Sequence, residues 1–249
     1  AVGHDCMETN NASQNTAIGH ESMKANTTGT RNVALGYGAL KTNVTDNNST
    51  AIGWEAARDA NGATDTTAVG AYALQQLTTG DYNVAVGQAA AYNTTTGSYN
   101  VAIGLHALSA NQTGIQNTAV GWHALYAYTG SYNTAFGNQA LEDCTTGTAN
   151  TAVGFDVMRE ITTGTHNTAI GSGALENQNF TGGTDAFNVA IGDNAGIDIT
   201  TGTQNVLVGA ESGEEITTGS DNIGVGKRCC GGNASAATTG SSNICIGSD

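Results

Sequence analysis

The chain has 249 residues, among them 35 Gly and no Pro, and it carries a formal net charge of −14. Charged residues make up 11% of it, less than half of the roughly 25% that is typical of globular domains. Nucleic-acid binding needs a basic surface, and no Lys or Arg lies between Asp59 and Met158, so this class of function is excluded. No apolar run reaches membrane-spanning length, and no signal sequence opens the chain. We expect a segment excerpted from a longer protein.

A pentapeptide of the form Asn-[Thr/Val]-Ala-[Ile/Val]-Gly recurs along the chain every seventeen residues, except that one interval is shorter by one residue and two are longer by four. Its glycines are Gly19, Gly36, Gly53, Gly70, Gly87, Gly104, Gly121, Gly137, Gly154, Gly171, Gly192, Gly209, Gly226 and Gly247. The second position is β-branched and the fourth is apolar in every copy. This alternation predicts a short strand in each repeat.

A second glycine follows a Thr-Thr pair in most repeats, and two glycines per repeat exclude a helix. These are Gly29, Gly80, Gly97, Gly114, Gly147, Gly164, Gly202, Gly219 and Gly240. We expect them to supply a positive φ angle at a corner of each coil. The pattern predicts an all-β fold, a single-stranded parallel β-solenoid (β-roll) of about 15 coils that forms one continuous array over residues 1–249.

The first residue of the pentapeptide is Asn in most copies, and stacked coils place these side chains above one another in a predicted amide ladder. The ladder comprises Asn15, Asn32, Asn83, Asn100, Asn117, Asn133, Asn150, Asn167, Asn188, Asn205, Asn222 and Asn243. Ser49 and Thr66 interrupt it. The two longer repeats carry insertions near 177–185 and 230–237, which we expect to bulge outward as loops on one face.

Strand alternation separates the Ala column from the two β-branched or apolar columns. We expect the β-branched residues to point inward, together with Leu40, Leu74, Leu108, Leu125, Leu141 and Leu175. With either orientation the solenoid has a flat face that is almost free of charge. Such a face favours side-by-side assembly of identical chains.

The Asn-x-Ala-[Ile/Val]-Gly coil followed by Ala-Leu resembles the YadA-like head repeats of trimeric autotransporter adhesins. With its Thr-Thr-Gly segments it is also similar to the repeat arrays of bacteriophage and algal-virus tail-fibre proteins. The resemblance extends from Asn15 to Gly247. It implies a left-handed roll, three chains wound side by side, and display on a cell surface or a virion. The repeat in this chain is longer than the adhesin head repeat, which puts the shape of the cross-section in doubt.

Aromatic residues form two columns that are candidates for contact with a glycan or a receptor. One column precedes the Asn and contains Tyr82, Tyr99, Tyr132 and Phe187, with His166 between them. The other follows the Gly and contains Tyr37, Trp54, Trp122 and Phe155. Ring faces beside amide and carboxylate groups suit sugar binding, whereas the alternative role is to cover turn backbone or neighbouring chains.

The Thr-Thr pairs give a second candidate surface, because parallel Thr columns on a flat solenoid face resemble ice-binding proteins. These residues are Thr78, Thr79, Thr95, Thr96, Thr145, Thr146, Thr162, Thr163, Thr200, Thr201, Thr217 and Thr218. They flank the corner glycine and do not form a Thr-x-Thr strand. Ice binding is therefore an alternative to a fibre.

The remaining chemistry-bearing residues predict no active site. No catalytic signature, calcium-loop repeat or phosphate-binding loop is present, so we expect no enzyme, no cofactor and no metal. His106 and His123 lie one coil apart, and we interpret them as solvent-facing. Cys144, Cys229, Cys230 and Cys245 occupy apolar columns, and we expect small buried side chains there, with a Cys229–Cys230 bridge or interchain bonding as the alternative.

These observations predict a non-enzymatic segment of an extracellular, cell-surface or virion fibre. It would act as a rigid spacer and would bind a receptor or a glycan. Its partners would be copies of itself, as a homotrimer or as an end-to-end filament, with neither nucleic acid nor membrane insertion involved.

Overall fold

The structure is a computed structural model that describes residues 1–180, 182–230 and 239–248. The chain divides into two compact units, Ala1–His123 and Ala124–Asp249. The described residues contain strands, turns and bends and no helix. Among them, accordingly, no helix is long and apolar enough to cross a membrane.

Every complete pentapeptide forms a short strand, from its second to its fourth position. The first unit contains β1 (Thr16–Ile18), β2 (Val33–Leu35), β3 (Thr50–Ile52), β4 (Thr67–Val69), β5 (Val84–Val86), β6 (Val101–Ile103) and β7 (Thr118–Val120). The second contains β8 (Thr134–Phe136), β9 (Thr151–Val153), β10 (Thr168–Ile170), β11 (Val189–Ile191), β12 (Val206–Val208), β13 (Ile223–Val225) and β14 (Ile244–Ile246). The described part of the chain thus has fourteen strands.

Within each unit, consecutive strands pair in parallel and in register, one coil on the next. In the first unit Thr16 pairs with Val33 and Ala17 with Ala34, and the pattern continues through β7. In the second unit the same register runs from β8 to β14. The predicted all-β parallel solenoid is confirmed.

The two longer coils keep the same register as the others. Thr168 pairs with Val189 across the first insertion, and Ile223 pairs with Ile244 across the second. At the first insertion, residues 177–180 and 182–185 are described, and an isolated bridge joins Thr165 to Asp185. The second predicted loop, 230–237, lies outside the described residues except for Cys230. The extra residues of a coil therefore leave the strand pairing unchanged.

The predicted orientation of the strands is wrong. The central Ala of each strand is buried from Ala17 to Ala190, and its two neighbours are half-buried or exposed. The leucines expected in the core are indeed buried, but they enter it from the turn segment that follows each glycine. A coil of this short length encloses a narrow interior, and Ala opposite Leu fills it where Ile opposite Leu would overpack it.

The predicted role of the second glycine is also wrong. Positive φ angles occur at the first glycine, for example +133° at Gly104, and at non-glycine corners such as Leu74 and Tyr82. The described glycines of the second column from Gly29 to Gly219 lack a positive φ. A Cβ at Gly97 would lie 2.5 Å from the carbonyl oxygen of Gly114. The second glycine is therefore required for close approach of neighbouring coils.

Candidate functional site

The outer side of the strands forms an uncharged surface in each unit. From Tyr82 to Val86, exposed or half-buried positions alternate with buried ones, and Gln88, after the glycine, is exposed again; the other coils are similar. Four columns result: the residue before the Asn, the two outer strand residues, and the residue after the Gly. The two strand columns contain no charged residue in any coil. Exposed apolar side chains in these columns include Ile18, Leu35, Ile103, Phe136 and Ile170.

Behind this surface, the Asn column joins the coils through buried hydrogen bonds. The side-chain oxygen of Asn100 accepts the backbone N–H of Asn117 at 3.0 Å, and its amide nitrogen donates to the carbonyl of Gly114 at 2.9 Å. The same contacts recur along the column, including Asn188 N–H to Asn167 Oδ1 at 3.1 Å across the first insertion. Ser49 and Thr66 instead hydrogen-bond the carbonyl two residues earlier in their own coil.

The column of rings after the glycine forms a continuous stack from His4 to Trp54 in the first unit. Tyr37 and Trp54 stack with ring centroids 4.2 Å apart. His20 stacks on Tyr37 at 5.3 Å, and His4 stacks on His20 at 5.3 Å. Both histidines were missed in the sequence, although each directly follows a repeat glycine. Trp122 stacks on His123, the next residue, at 4.0 Å, and Phe155 of the second unit is exposed.

The column of rings before the Asn also stacks where rings occupy adjacent coils. Tyr82 and Tyr99 have centroids 5.0 Å apart, and His166 and Phe187 have centroids 4.9 Å apart. Tyr132 is exposed. Sugars bind to aromatic residues through the ring face. Rings that stack on each other cover those faces, so the stacked residues present mainly their edges to a ligand.

Some hydroxyl groups of the Thr columns donate hydrogen bonds within the solenoid. Thr78 donates to the carbonyl of Thr95 at 2.9 Å, and Thr95 donates to that of Gln112 at 3.1 Å. Thr145 and Thr200 make the same contact, and Thr162 donates to the side chain of Asn179. The second Thr of most pairs is exposed: Thr79, Thr96, Thr146, Thr201 and Thr218. In the described coils, therefore, the second Thr column is the one that offers its hydroxyls to solvent.

The histidines and cysteines singled out by the sequence are placed as follows. The rings of His106 and His123 are in edge-to-face contact, with centroids 5.6 Å apart. The pKa of His106 is lowered, mainly by its partial burial and to a smaller extent by the charge of His123. Cys144 is buried, and burial raises the pKa of its thiol to about 12, so it stays protonated. Cys229 is a buried free thiol.

The expectation that Cys230 and Cys245 are both free apolar side chains is wrong, because they form a disulfide. Their Cα atoms lie 5.6 Å apart. Cys230 occupies the Leu column and Cys245 the Ala column of the following coil, and both columns face inward. The alternative of a Cys229–Cys230 bridge is therefore wrong as well.

The comparisons with known proteins add no relative. No family model, no curated protein and no solved structure matches this chain.

Proposed function

We propose that this chain is a non-enzymatic structural segment of a surface fibre, displayed outside a cell or on a virion, whose copies pack side by side through the strand face. In this proposal the assembly is the left-handed trimer that the repeat resemblance implies. The solenoid acts as a rigid spacer. The exposed rings and the first insertion then provide contacts to a receptor or a glycan.

The observation that carries the proposal is the outer strand face. Its two central columns are free of charge in a chain of net charge −14, and they expose Ile, Val, Leu or Phe side chains in most coils. Monomeric proteins rarely expose continuous apolar patches larger than a few hundred Å². Covering such a face would remove apolar side chains from water, and each Å² of apolar surface buried would stabilise the assembly by about 25 cal/mol.

The regular spacing of the coils indicates what covers the face. Neighbouring parallel strands lie about 4.8 Å apart, so the exposed side chains repeat at this interval within each unit. A partner that contacts every coil equally must have the same interval. Another copy of the chain has it by construction, and closed symmetry among copies leaves no strand face exposed.

The test is the mass of the assembly in solution for wild type and three variants. Ile103→Asp buries an unpaired carboxylate in the proposed interface, and we expect association at least 100-fold weaker. Thr96→Asp adds the same charge on the exposed Thr column and should leave the mass unchanged. Ile103→Thr keeps a neutral β-branched side chain and should still assemble.

Light scattering after size exclusion gives the masses, and circular dichroism verifies that Ile103→Asp remains folded. A wild-type chain that stays monomeric at high concentration would overturn the proposal. So would an Ile103→Asp variant with the mass of wild type.

Ice binding is the second candidate, favoured by the Thr residues in the outer strand columns of half the coils, such as Thr50, Thr67 and Thr151. Val or Ile replaces Thr in the other coils, and one hydroxyl column of the Thr-Thr pairs bonds within the solenoid. If the protein were a monomer that shows thermal hysteresis, ice binding would replace the fibre as the proposed function. Continuous threads in electron micrographs would replace it by an end-to-end filament.

A further inference from the structure

Two His-acid dipeptides occupy equivalent positions in the first two coils. Gly3-His4-Asp5 and Gly19-His20-Glu21 lie in register, and the backbone N–H of Glu21 donates to the carbonyl of His4 at 3.0 Å. The imidazole rings are nearly parallel, with an interplanar angle of 7°. One ligand atom each from His4, His20 and Asp5 lie within 4.8 Å of one another.

Charged neighbours hold the Asp5 carboxylate in place. One oxygen lies 3.0 Å from Nδ1 of His4, and the other accepts a hydrogen bond from Lys24 Nζ at 2.9 Å. A carboxylate that is fixed through its second oxygen is the usual arrangement around a bound metal ion.

The local charge favours a cation in spite of the lysine. Lys24 lies 3.6 Å from Glu8 and 3.3 Å from Glu21, and Lys41 lies 2.7 Å from Glu21. Three carboxylates thus surround two ammonium groups, which leaves a net negative charge beside the two imidazoles.

We propose that His4, His20 and Asp5 bind a divalent transition-metal ion of the zinc class. Two imidazole nitrogens and one carboxylate oxygen are the donors that Zn²⁺ accepts, whereas Ca²⁺ and Mg²⁺ require mostly oxygen ligands. Three protein ligands leave the fourth tetrahedral position to water. This inference does not rest on the proposed function.

Small side-chain rotations are sufficient to form the site. Ligand atoms around tetrahedral zinc are about 3.4 Å apart, given bonds of about 2.1 Å, so atoms that lie up to 4.8 Å apart must approach by up to about 1.4 Å. The side chains of His4 and His20 are 77% and 46% exposed, which leaves room for this movement. Because the ligands come from adjacent coils, the ion would join the first coil to the second.

The experiment is calorimetric titration of tag-free protein with Zn²⁺ alone. We expect one high-affinity site per chain, a Co²⁺ derivative with tetrahedral visible absorption and no thiolate charge-transfer band, and no binding of Mg²⁺ or Ca²⁺. His20→Ala should weaken zinc binding at least 100-fold, and Asp5→Asn at least 10-fold. Both residues are partly exposed at their coil surface, and thermal melting verifies the fold of each variant.

Two matched variants test whether this place is specific. His166→Ala removes the imidazole 3.0 Å from Asp185, a pair that belongs to no cluster of three such ligands among the described residues, and it should leave zinc binding unchanged. Cys6→Ser removes the free thiol next to Asp5 and should also have no effect. Unaltered zinc binding in His20→Ala, loss of binding in Cys6→Ser, or absence of binding to wild type would overturn the proposal.

Discussion

The buried column that precedes each corner differs between the two units. In the first unit it contains the polar residues Asn26, Asn43, Thr94 and Asn111 together with Ala60 and Leu77, whereas in the second it contains mostly apolar residues, Tyr128, Cys144, Ile161, Ile199 and Ile216, with Gln178 at the first insertion. Asp46 adds a buried carboxylate, and it stands at the position where most coils have the glycine that follows the Thr pair. We call the part of the first unit around Asn26, Asn43 and Asp46 the polar region, and the part of the second unit with the Ile residues the aliphatic region.

The polar side chains of this column are incompletely satisfied in both units. Within the described residues, Asn26 Oδ1, Asn43 Nδ2 and Asp46 Oδ2 are buried without a hydrogen-bond partner, and so are both amide atoms of Gln178, whereas the Ile side chains have no polar atom to satisfy. Each such atom costs about 1–3 kcal/mol. Strand pairing and the Asn hydrogen bonds are nevertheless the same in both regions. The Asn, Ala and Gly columns therefore define the coil, and the column before the corner is free to vary and sets local stability.

The largest effect should come from a change in a feature that both regions share. Gly104 has φ +133°, and a Cβ there would lie 2.7 Å from the carbonyl carbon of Gly121. We expect Gly104→Ala to lower the free energy of unfolding by more than about 4 kcal/mol, measured by urea denaturation. Gly38→Ala is the control, because its Cβ would lie at an ordinary contact distance, 3.5 Å from Glu55 Cγ, at φ +62°. It should cost only the backbone strain of about 1–2 kcal/mol. Equal losses would contradict the close-packing argument.

The next effect concerns the Asn column in the aliphatic region. Asn150 accepts the backbone N–H of Asn167 at 3.0 Å and donates to the carbonyl of Gly164 at 2.9 Å. Asn150→Ala leaves both groups buried and unpaired, so we expect a loss of about 3 kcal/mol. Asn138→Ala, at an exposed position of the same unit, should change stability by less than about 0.5 kcal/mol. A small loss for Asn150→Ala would show that the strands alone specify the coil.

The smallest effect is specific to the polar region and depends on pH. Burial raises the pKa of Asp46 to about 6 from its ordinary 3.8, so the folded state favours the protonated acid. The stability that protonated Asp46 contributes is therefore fully present below pH 3.8, and it is lost as the pH rises through about 6. We expect Asp46→Asn to stabilise the protein by about 2 kcal/mol at pH 7 and by little at pH 4.

Thermal denaturation of wild type and variant across this pH range isolates the titration of Asp46 as the difference between the two curves. Asp65→Asn, at an exposed carboxylate, is the control and should give parallel curves. Parallel curves for Asp46→Asn as well would mean that the buried carboxylate has an ordinary pKa.

The period of the sequence was sufficient to predict the strands and their register, because the repeat glycine recurs in every coil and the Asn and Ala positions recur in most of them. It was not sufficient to predict the inner face. Alternation fixes which residues share a side, and the width of the interior decides which side is buried. In this chain the Leu column, for example Leu74 and Leu108, already fills the interior, so Ala must face it.

The contacts that link non-equivalent columns were also missed. Cys230 and Cys245 lie in different columns of adjacent coils, and the insertion between them obscures their proximity. The sequence did contain a signal for this disulfide, because both columns face inward in adjacent coils. The histidine pair was missed for another reason: His4 lies in an incomplete repeat, where the column assignment depends on Gly3 alone.

The unchanged register across the first insertion has a consequence for how such a chain changes length over generations. A coil with four additional residues still presents the same strand to the next coil. Gain or loss of a whole repeat by unequal recombination would leave each remaining coil with neighbours of the same kind. The number of coils and the sequences of the loops can therefore change independently, and neither change needs compensating substitutions elsewhere.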